Sequence, residues 1–250
     1  MTAETAPDRQ IVTVTGPDAL TFLQGLTTND MRPLDHAPGI VWTAMLTPQG
    51  KYLADFFVIN TGDALLLDLP APIAASTLQR LSMYRLRAAV TLTPTDMPVA
   101  RGLGDAPPGA LPDPRHPALG WRHYGAQGGP AIIDWDAIRV AHCIPETGIE
   151  LTPDTFILEA GFERLQGVDF RKGCYVGQEV TARMKHKTEL RKGLVRVQVA
   201  GAAPVGSDIL SDGKPAGTLY TQSAGHGIAY LRHDRAGGDM QAGAARVTLA

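Results

Sequence analysis

The sequence predicts an α+β protein that ends in a small all-β module, and three observations lead there. Between Ile11 and Leu92, strand-like and helix-like runs alternate in the order β, α, β, β, β, α, β. That order suits an antiparallel sheet covered on one face by two helices. From Gly193 onward, strand-length runs follow one another between glycine turns, the punctuation of a compact β module. A hydrophobic content of 44% over 250 residues is also enough for a true core.

The elements follow in order. Ile11 to Thr15 is short and β-branched, and Gly16-Pro17-Asp18 opens an apolar-periodic segment, Ala19 to Gln24, that stops at Gly25. This reads as a strand, then a helix with proline in its first turn, then a glycine stop. Ile40 to Leu46 and Lys51 to Asn60 are strands joined by the hairpin signal Thr47-Pro48-Gln49-Gly50, and Ala64 to Leu69 is the next strand. Ile73, Leu78, Leu81 and Tyr84 recur at helical spacing between Ile73 and Arg85, and Ala88 to Leu92 returns to strand. Gly102 to Gly120, rich in proline, glycine and alanine, reads as a long loop or boundary. Gly120 to Tyr124 and Ala131 to Ile133 are predicted strands, and Trp135 to His142 a helix. The final module carries strands at Leu194 to Val199, Ala216 to Thr221, Gly227 to Leu231 and Arg246 to Leu249.

Composition narrows the function. A net charge of −2 and a pI of about 6.4 exclude a general polyanion binder, so an anionic partner must be met locally. Met1 to Gln10 carries Glu4 and Asp8 and no apolar run, giving neither a signal peptide nor a transit peptide. No stretch is long enough to span a bilayer, so no membrane contact is expected. Two cysteines, Cys143 and Cys174, cannot build a disulfide framework or a four-cysteine zinc site, and a reducing cytoplasm is the expected home. The seven histidines form no compact ligand pattern, so no metal site is expected. Neither a phosphate-binding glycine loop nor a dinucleotide fingerprint is present.

The segment Phe170 to Arg183, FRKGCYVGQEVTAR, carries the chemistry. Gly173 and Gly177 bracket Cys174 and Tyr175 and let the backbone turn tightly against a ligand. Arg171 and Lys172 put positive charge beside the thiol, which favours the thiolate, and a helix starting near Val176 would push the same way. An isolated cysteine is also among the residue types most often buried as inert packing, and the polar, glycine-rich setting is what argues for reactivity here.

The run Lys172-Gly173-Cys174-Tyr175-Val176-Gly177-Gln178-Glu179, with Arg183 beyond, resembles the signature of the YgfZ-type folate-binding proteins, relatives of a mitochondrial iron-sulfur assembly factor. Other segments agree in order: Ile11 to Ala19 with Phe22 to Gly25 and Thr28-Asn29-Asp30, then Leu46 to Lys51 with Asp55, then Tyr84-Arg85-Leu86-Arg87. The resemblance implies the fold of the glycine-cleavage T-protein superfamily: two interlocked antiparallel-sheet, ferredoxin-like subdomains around a central folate opening, plus a C-terminal β-barrel. The expected partition is residues 1–100, residues 101–190 with the cysteine motif, and residues 191–250 for the barrel.

Carried over residue by residue, the resemblance makes Cys174 the functional thiol, with Lys172 beside it. It makes Trp135, Tyr175, Gln178, Glu179, Arg183 and Asp55 the folate-site residues. An aromatic face such as Trp135 can stack on a pterin or aminobenzoyl ring, and it can equally be core. A second tryptophan used by some relatives would fall near Arg9, so that contact is missing or cationic here. Aminomethyltransferases carry adjacent acids where this chain has Ala54-Asp55, which leaves one carboxylate. His142-Cys143 reads as a satisfied, partly buried pair. The basic residues Arg183, Lys185, His186, Lys187, Arg191 and Lys192 could hold the glutamate tail of folate, touch RNA, or form a solvated face.

The function so implied is a tetrahydrofolate-binding accessory protein supporting iron-sulfur cluster assembly or repair. Its clients in the family include radical enzymes that modify tRNA, and Cys174 would make a transient bond with a client thiol, persulfide or cluster. Two rivals stand beside it. A folate-dependent aminomethyltransferase would rely on Asp55, and a tRNA-binding module would rely on the basic stretch.

Overall fold

The computed structural model describes residues 2–187 and 189–250; the side chains of Thr2 and of Lys187, part of the basic stretch, lie outside what is described. The chain divides into two compact units, each built from two stretches of sequence: Met1–Ile133 with Glu163–Gln178, and Asp134–Phe162 with Glu179–Ala250.

In the first unit the chain forms β1 (Thr2–Thr5), β2 (Arg9–Thr15), α1 (Ala19–Leu26), β3 (Gly39–Leu46), β4 (Tyr52–Asn60) and β5 (Leu65–Pro70). It continues with α2 (Ala71–Arg85), β6 (Thr91–Thr95), β7 (Val99–Leu103), β8 (Leu111–Pro112) and β9 (Trp121–Tyr124). Five strands pair in the order β3-β4-β5-β2-β6 and four in the order β1-β7-β9-β8. Both sheets are antiparallel throughout. Strand alternation sorts the side chains of the larger sheet. Val12, Val14, Phe56, Val58, Leu67 and Leu69 form one buried cluster with Phe22, Leu23 and Leu26 of α1 and Ala74 and Leu81 of α2. Each such Leu, Val or Phe contributes about 1.5–3 kcal/mol by leaving water.

Phe57 and Asp68, paired across β4 and β5, belong to the opposite alternation. Asp68 accepts from Arg9 Nε, from Arg122 Nη1 at 3.1 Å and from the Tyr124 hydroxyl at 2.9 Å. Arg122 and Arg115 also pair with Asp113, at 3.1 and 2.8 Å, and the guanidiniums of Arg9, Arg115 and Arg122 lie 5.7, 5.0 and 4.2 Å from the centre of the Phe57 ring. Burial works to raise the Asp113 carboxyl, but the charge and hydrogen bonds of Arg115, aided by Arg122, outweigh it and bring its pKa to about 2. The Asp68 carboxyl is held low by the same contest between burial and its two arginines. Arg9 is engaged in this buried seam through its bonds to the Asp68 side chain and carbonyl.

The second unit holds α3 (Trp135–His142), α4 (Gln178–Lys187, whose first residue falls in the first unit) and six strands: β10 (Lys192–Ala200), β11 (Ser207–Ser211), β12 (Lys214–Ser223), β13 (His226–Arg232), β14 (Met240–Ala242) and β15 (Ala245–Leu249). The strands close into a barrel in the order β10-β13-β12-β11-β14-β15, with β15 returning to β10. Val197, Ile209, Leu219, Leu231 and Val247 fill its interior. Cys143 ends α3 in the left-handed conformation, φ 51°, and packs with Val140 and Ile228. It is a buried packing residue, in keeping with the expectation for the His142-Cys143 pair.

The α+β class with its terminal β module is what the structure shows, and the differences from the predicted elements are local. Ala131 to Ile133 is not a strand; the amides of Ile132 and Ile133 donate to the buried Glu4 carboxylate at 2.9 and 3.0 Å. The α1 helix runs through Gly25 to Leu26 because Leu26 is needed in the core. The strand placed at Ala88 begins at Thr91, since Ala88 to Val90 form a turn whose Ala89 amide donates to Asp18. The long 102–120 segment contains β8 and a short 3₁₀ turn at Pro117–Leu119. β1, β7, β11 and β14 had no predicted counterpart.

Candidate functional site

Three separated segments that carried the resemblance meet in the first unit. They are the end of α1 with Thr28-Asn29-Asp30, the β3–β4 turn, and the loop from Glu163 to Gln178. Asn29 donates to the carbonyls of Trp42 and Gln166 at 2.8 and 2.6 Å, and the Thr28 hydroxyl donates to Gly167 O at 2.7 Å. The Asp169 amide returns to Thr28 O at 3.1 Å. These bonds fix where the motif loop starts.

The loop is then pinned on both sides of Cys174. Lys172 is buried, and its ammonium donates to the carbonyls of Gln24, Thr27 and Asn29, with 2.7 Å to the first and 2.9 Å to the last. Carbonyls at a helix C-terminus have no intrahelical donor and lie at the negative end of the helix dipole, so a cation there is doubly favoured. Burial pulls the Lys172 pKa down to about 8, opposed by the charges of Asp30 and Asp169. Tyr175 is buried, with the Lys172 ammonium 5.2 Å from its ring centre. Gly177 has φ +85°, and a Cβ there would lie 2.5 Å from Thr47 O and 2.9 Å from Leu46 Cβ, so only glycine lets the loop settle on the β3–β4 turn.

Cys174 is left exposed between these anchors, and it is a free thiol. Gly173 beside it is exposed, and the Arg171 side chain is 93% exposed, 3.8 Å from Asp169. All three ammonium protons of Lys172 are committed to carbonyls. It therefore serves as an anchor of the loop and not as a proton donor to the thiol. The helix expected near Val176 begins at Gln178.

The residues expected to line a folate site divide between the units. Asp55, Tyr175 and Gln178 belong to the first; Trp135, Glu179 and Arg183 belong to the second. Asp55 is buried on β4 and accepts from the Trp42 indole N–H at 2.9 Å and the Tyr52 hydroxyl at 2.7 Å. Trp135 is half-buried at the start of α3, whose placement rests on Arg139. Arg139 bonds Glu150, which takes the Thr221 hydroxyl at 2.6 Å. Gln178 is half-buried, and Glu179 and Arg183 are exposed. Sequence reading assigned nothing to Trp42 and Tyr52, the partners of Asp55. One sits on a neighbouring strand, and no local spacing signals the pairing. Among the described residues, no group of three or more His, Cys, Asp or Glu side chains is placed to hold a metal ion, and no helix is long and apolar enough to cross a membrane.

This architecture has an aminomethyltransferase-like fold, antiparallel sheets with a closed six-stranded barrel. The crystal structure of the glycine cleavage system aminomethyltransferase T from Bartonella henselae superposes with a TM-score of 0.74 over 98% of this chain and 83% of that one, at 13% identity. Residues 191–250 match the family model described as the CAF17 C-terminal beta-barrel domain.

The homologues are iron-sulfur cluster assembly factors of the IBA57 kind, to which the YgfZ-type proteins are related. The mitochondrial IBA57 homolog of Mycosarcoma maydis is 32% identical over 237 residues, covering 80% of this chain and 58% of its own length. Mitochondrial IBA57 of Mus musculus is 28% identical over 279 residues, covering 93% of this chain and 78% of its own. These names overturn the expected cytoplasmic location, since the relatives are mitochondrial proteins. The inference failed because free thiols report a reducing compartment without saying which one.

Proposed function

We propose that this chain is an accessory factor of iron-sulfur cluster assembly that binds tetrahydrofolate and works through the thiol of Cys174. The observation that carries the reading is the exposed Cys174 held on a loop anchored at Lys172, Tyr175 and Gly177. Anchoring of this kind is unnecessary for an inert surface cysteine and useful for presenting a ligand atom to a bulky partner. The cluster is cargo. The Cys174 thiol loses its proton to solvent, and the thiolate takes one iron coordination position from a ligand of the client or donor, a ligand exchange without change in oxidation state.

For folate, each unit has suitable chemistry by itself: Asp55, Tyr175 and Gln178 of the first are donors and acceptors of the kind a pterin edge takes, and Trp135, Glu179 and Arg183 of the second offer a ring face and a cation of the kind a glutamate tail takes. Bound folate supplies a one-carbon carrier; this chain's own residues bind and orient it. Engagement of Asp55 by Trp42 and Tyr52 favours a binding role over that of a transferase base. Contact with tRNA-modifying clients is part of the same reading, and direct tRNA binding through the basic stretch is its rival.

The test is complementation in cells lacking the native protein. Cys174→Ala should fail to restore iron-sulfur enzyme activity while the purified variant keeps its fold and its affinity for tetrahydrofolate, followed by tryptophan fluorescence. Full restoration by Cys174→Ala would reject the thiol mechanism, and absence of any tetrahydrofolate response, in wild type as in Trp135→Phe, would reject the folate part.

A further inference from the structure

The segment Tyr84-Arg85-Leu86-Arg87 takes no part in the thiol site. Every residue from Ser82 to Arg87 is exposed, with Met83 at 64%, Tyr84 at 38% and Leu86 at 88%. Leu86 closes α2 with φ 42° and ψ −102°, a backbone region that disfavours a branched L side chain. A loop free to relax would not hold a leucine there with its side chain in water. The base of this turn is built to hold it. The Asp18 carboxylate, at a helix N-cap position, accepts from the Ala89 amide at 2.8 Å instead of capping its own helix. Gly16 has φ +113°, and a Cβ there would lie 1.9 Å from Ala89 O. The Gly16-Pro17-Asp18 segment thus holds Ala89, two residues after the turn, and fixes the chain where it leaves Arg87.

Charge decides what the turn would meet. From residue 69 to residue 95 the chain has no Asp or Glu, and its only charges are Arg80, Arg85 and Arg87. All three are exposed, and among the described residues none forms an ion pair; Arg85 donates only to Val90 O at 3.3 Å. Arginine, tyrosine and methionine on one rigid projection are the residue types enriched in protein interfaces. Aliphatic tips such as Leu86 and Met83 gain nothing from phosphate or stacked bases, which sets a protein partner above a nucleic acid.

We infer that the last turns of α2 from Arg80, with the turn Leu86-Arg87 that follows, form a docking knob for an acidic surface of a partner protein, with Leu86 and Tyr84 entering an apolar pocket and the three arginines meeting its carboxylate rim. It is independent of the thiol reading, and the binding measurements are run on Cys174→Ser chain as well as on wild type.

The test places p-benzoylphenylalanine at Tyr84 of the full chain in cells, with the same probe at exposed Val205 of the barrel as the control. The expected result is a discrete protein adduct at position 84 that is absent at 205, with carboxylates in the cross-linked peptide. That protein, purified, should bind roughly ten-fold more weakly to Arg80→Glu/Arg87→Glu and to Leu86→Gly, and binding should weaken with salt. Leu86→Gly removes the positive-φ penalty, so its melting temperature should hold or rise while binding falls, a split that a merely structural role would not produce. The inference would be overturned by position 84 giving no more adduct than position 205, by an adduct to RNA or to a second copy of the chain, or by binding unmoved in both variants.

Discussion

The Lys172 ammonium donates to the carbonyl of Gln24 at 2.7 Å across 148 residues of sequence, tying the loop that presents Cys174 to the end of α1. Replacing Lys172 by methionine keeps the aliphatic stem and removes the donor from three carbonyls. The expected loss is about 1–3 kcal/mol, read as a lower urea midpoint, together with loss of complementation. Lys172→Arg should not restore it, because a planar fork cannot converge on three carbonyls as a tetrahedral ammonium does. Unchanged stability in Lys172→Met would contradict the anchoring role.

Gly177→Ala introduces a methyl against Thr47 O and forces an alanine to φ +85°. A cost of about 1–3 kcal/mol is expected, with a fall in melting temperature. Gly173→Ala serves as the control, since a Cβ there meets nothing within 4 Å. Equal effects at the two positions would show that the loop does not seat on the β3–β4 turn.

Thiol titration under native conditions should report one fast-reacting group per chain, abolished in Cys174→Ser. Cys143, buried behind α3, should react only on unfolding. Two fast thiols, or none, would refute the exposure assigned to these cysteines.

The buried seam carries a pH signature. The folded pKa of Asp113, about 2, lies below its ordinary 3.8. Its contribution is therefore fully present above about pH 4 and is lost as the pH falls toward 2. Asp113→Asn should cost about 3 kcal/mol near neutrality by stranding Arg115 and Arg122, and the difference from wild type should shrink between pH 4 and 2 in urea titrations. A difference constant across that range would contradict the ion-pair assignment.

Legibility followed the range of the interactions. The helix at Trp135 to His142 and the paired runs around Thr47-Pro48-Gln49-Gly50 were readable because periodicity and turn chemistry act over a few residues. β8 and β14, two and three residues long, hold their places through their neighbours in the sheets, so nothing local announced them. The same limit hid the seam of Arg9, Asp68, Asp113, Arg115 and Arg122, whose members come from four separate parts of the chain.

The sequence by itself determined the α+β class, the terminal β module and the cysteine motif, since each is written in contiguous residues as pattern or composition. Only the tertiary structure decided that Lys172 faces inward to carbonyls at and just beyond the end of α1, that Asp55 is held by Trp42 and Tyr52, and that Asp18 holds Ala89. A hydrogen bond between residues far apart in the chain depends on where folding brings them, and the residue type alone does not carry that coordinate.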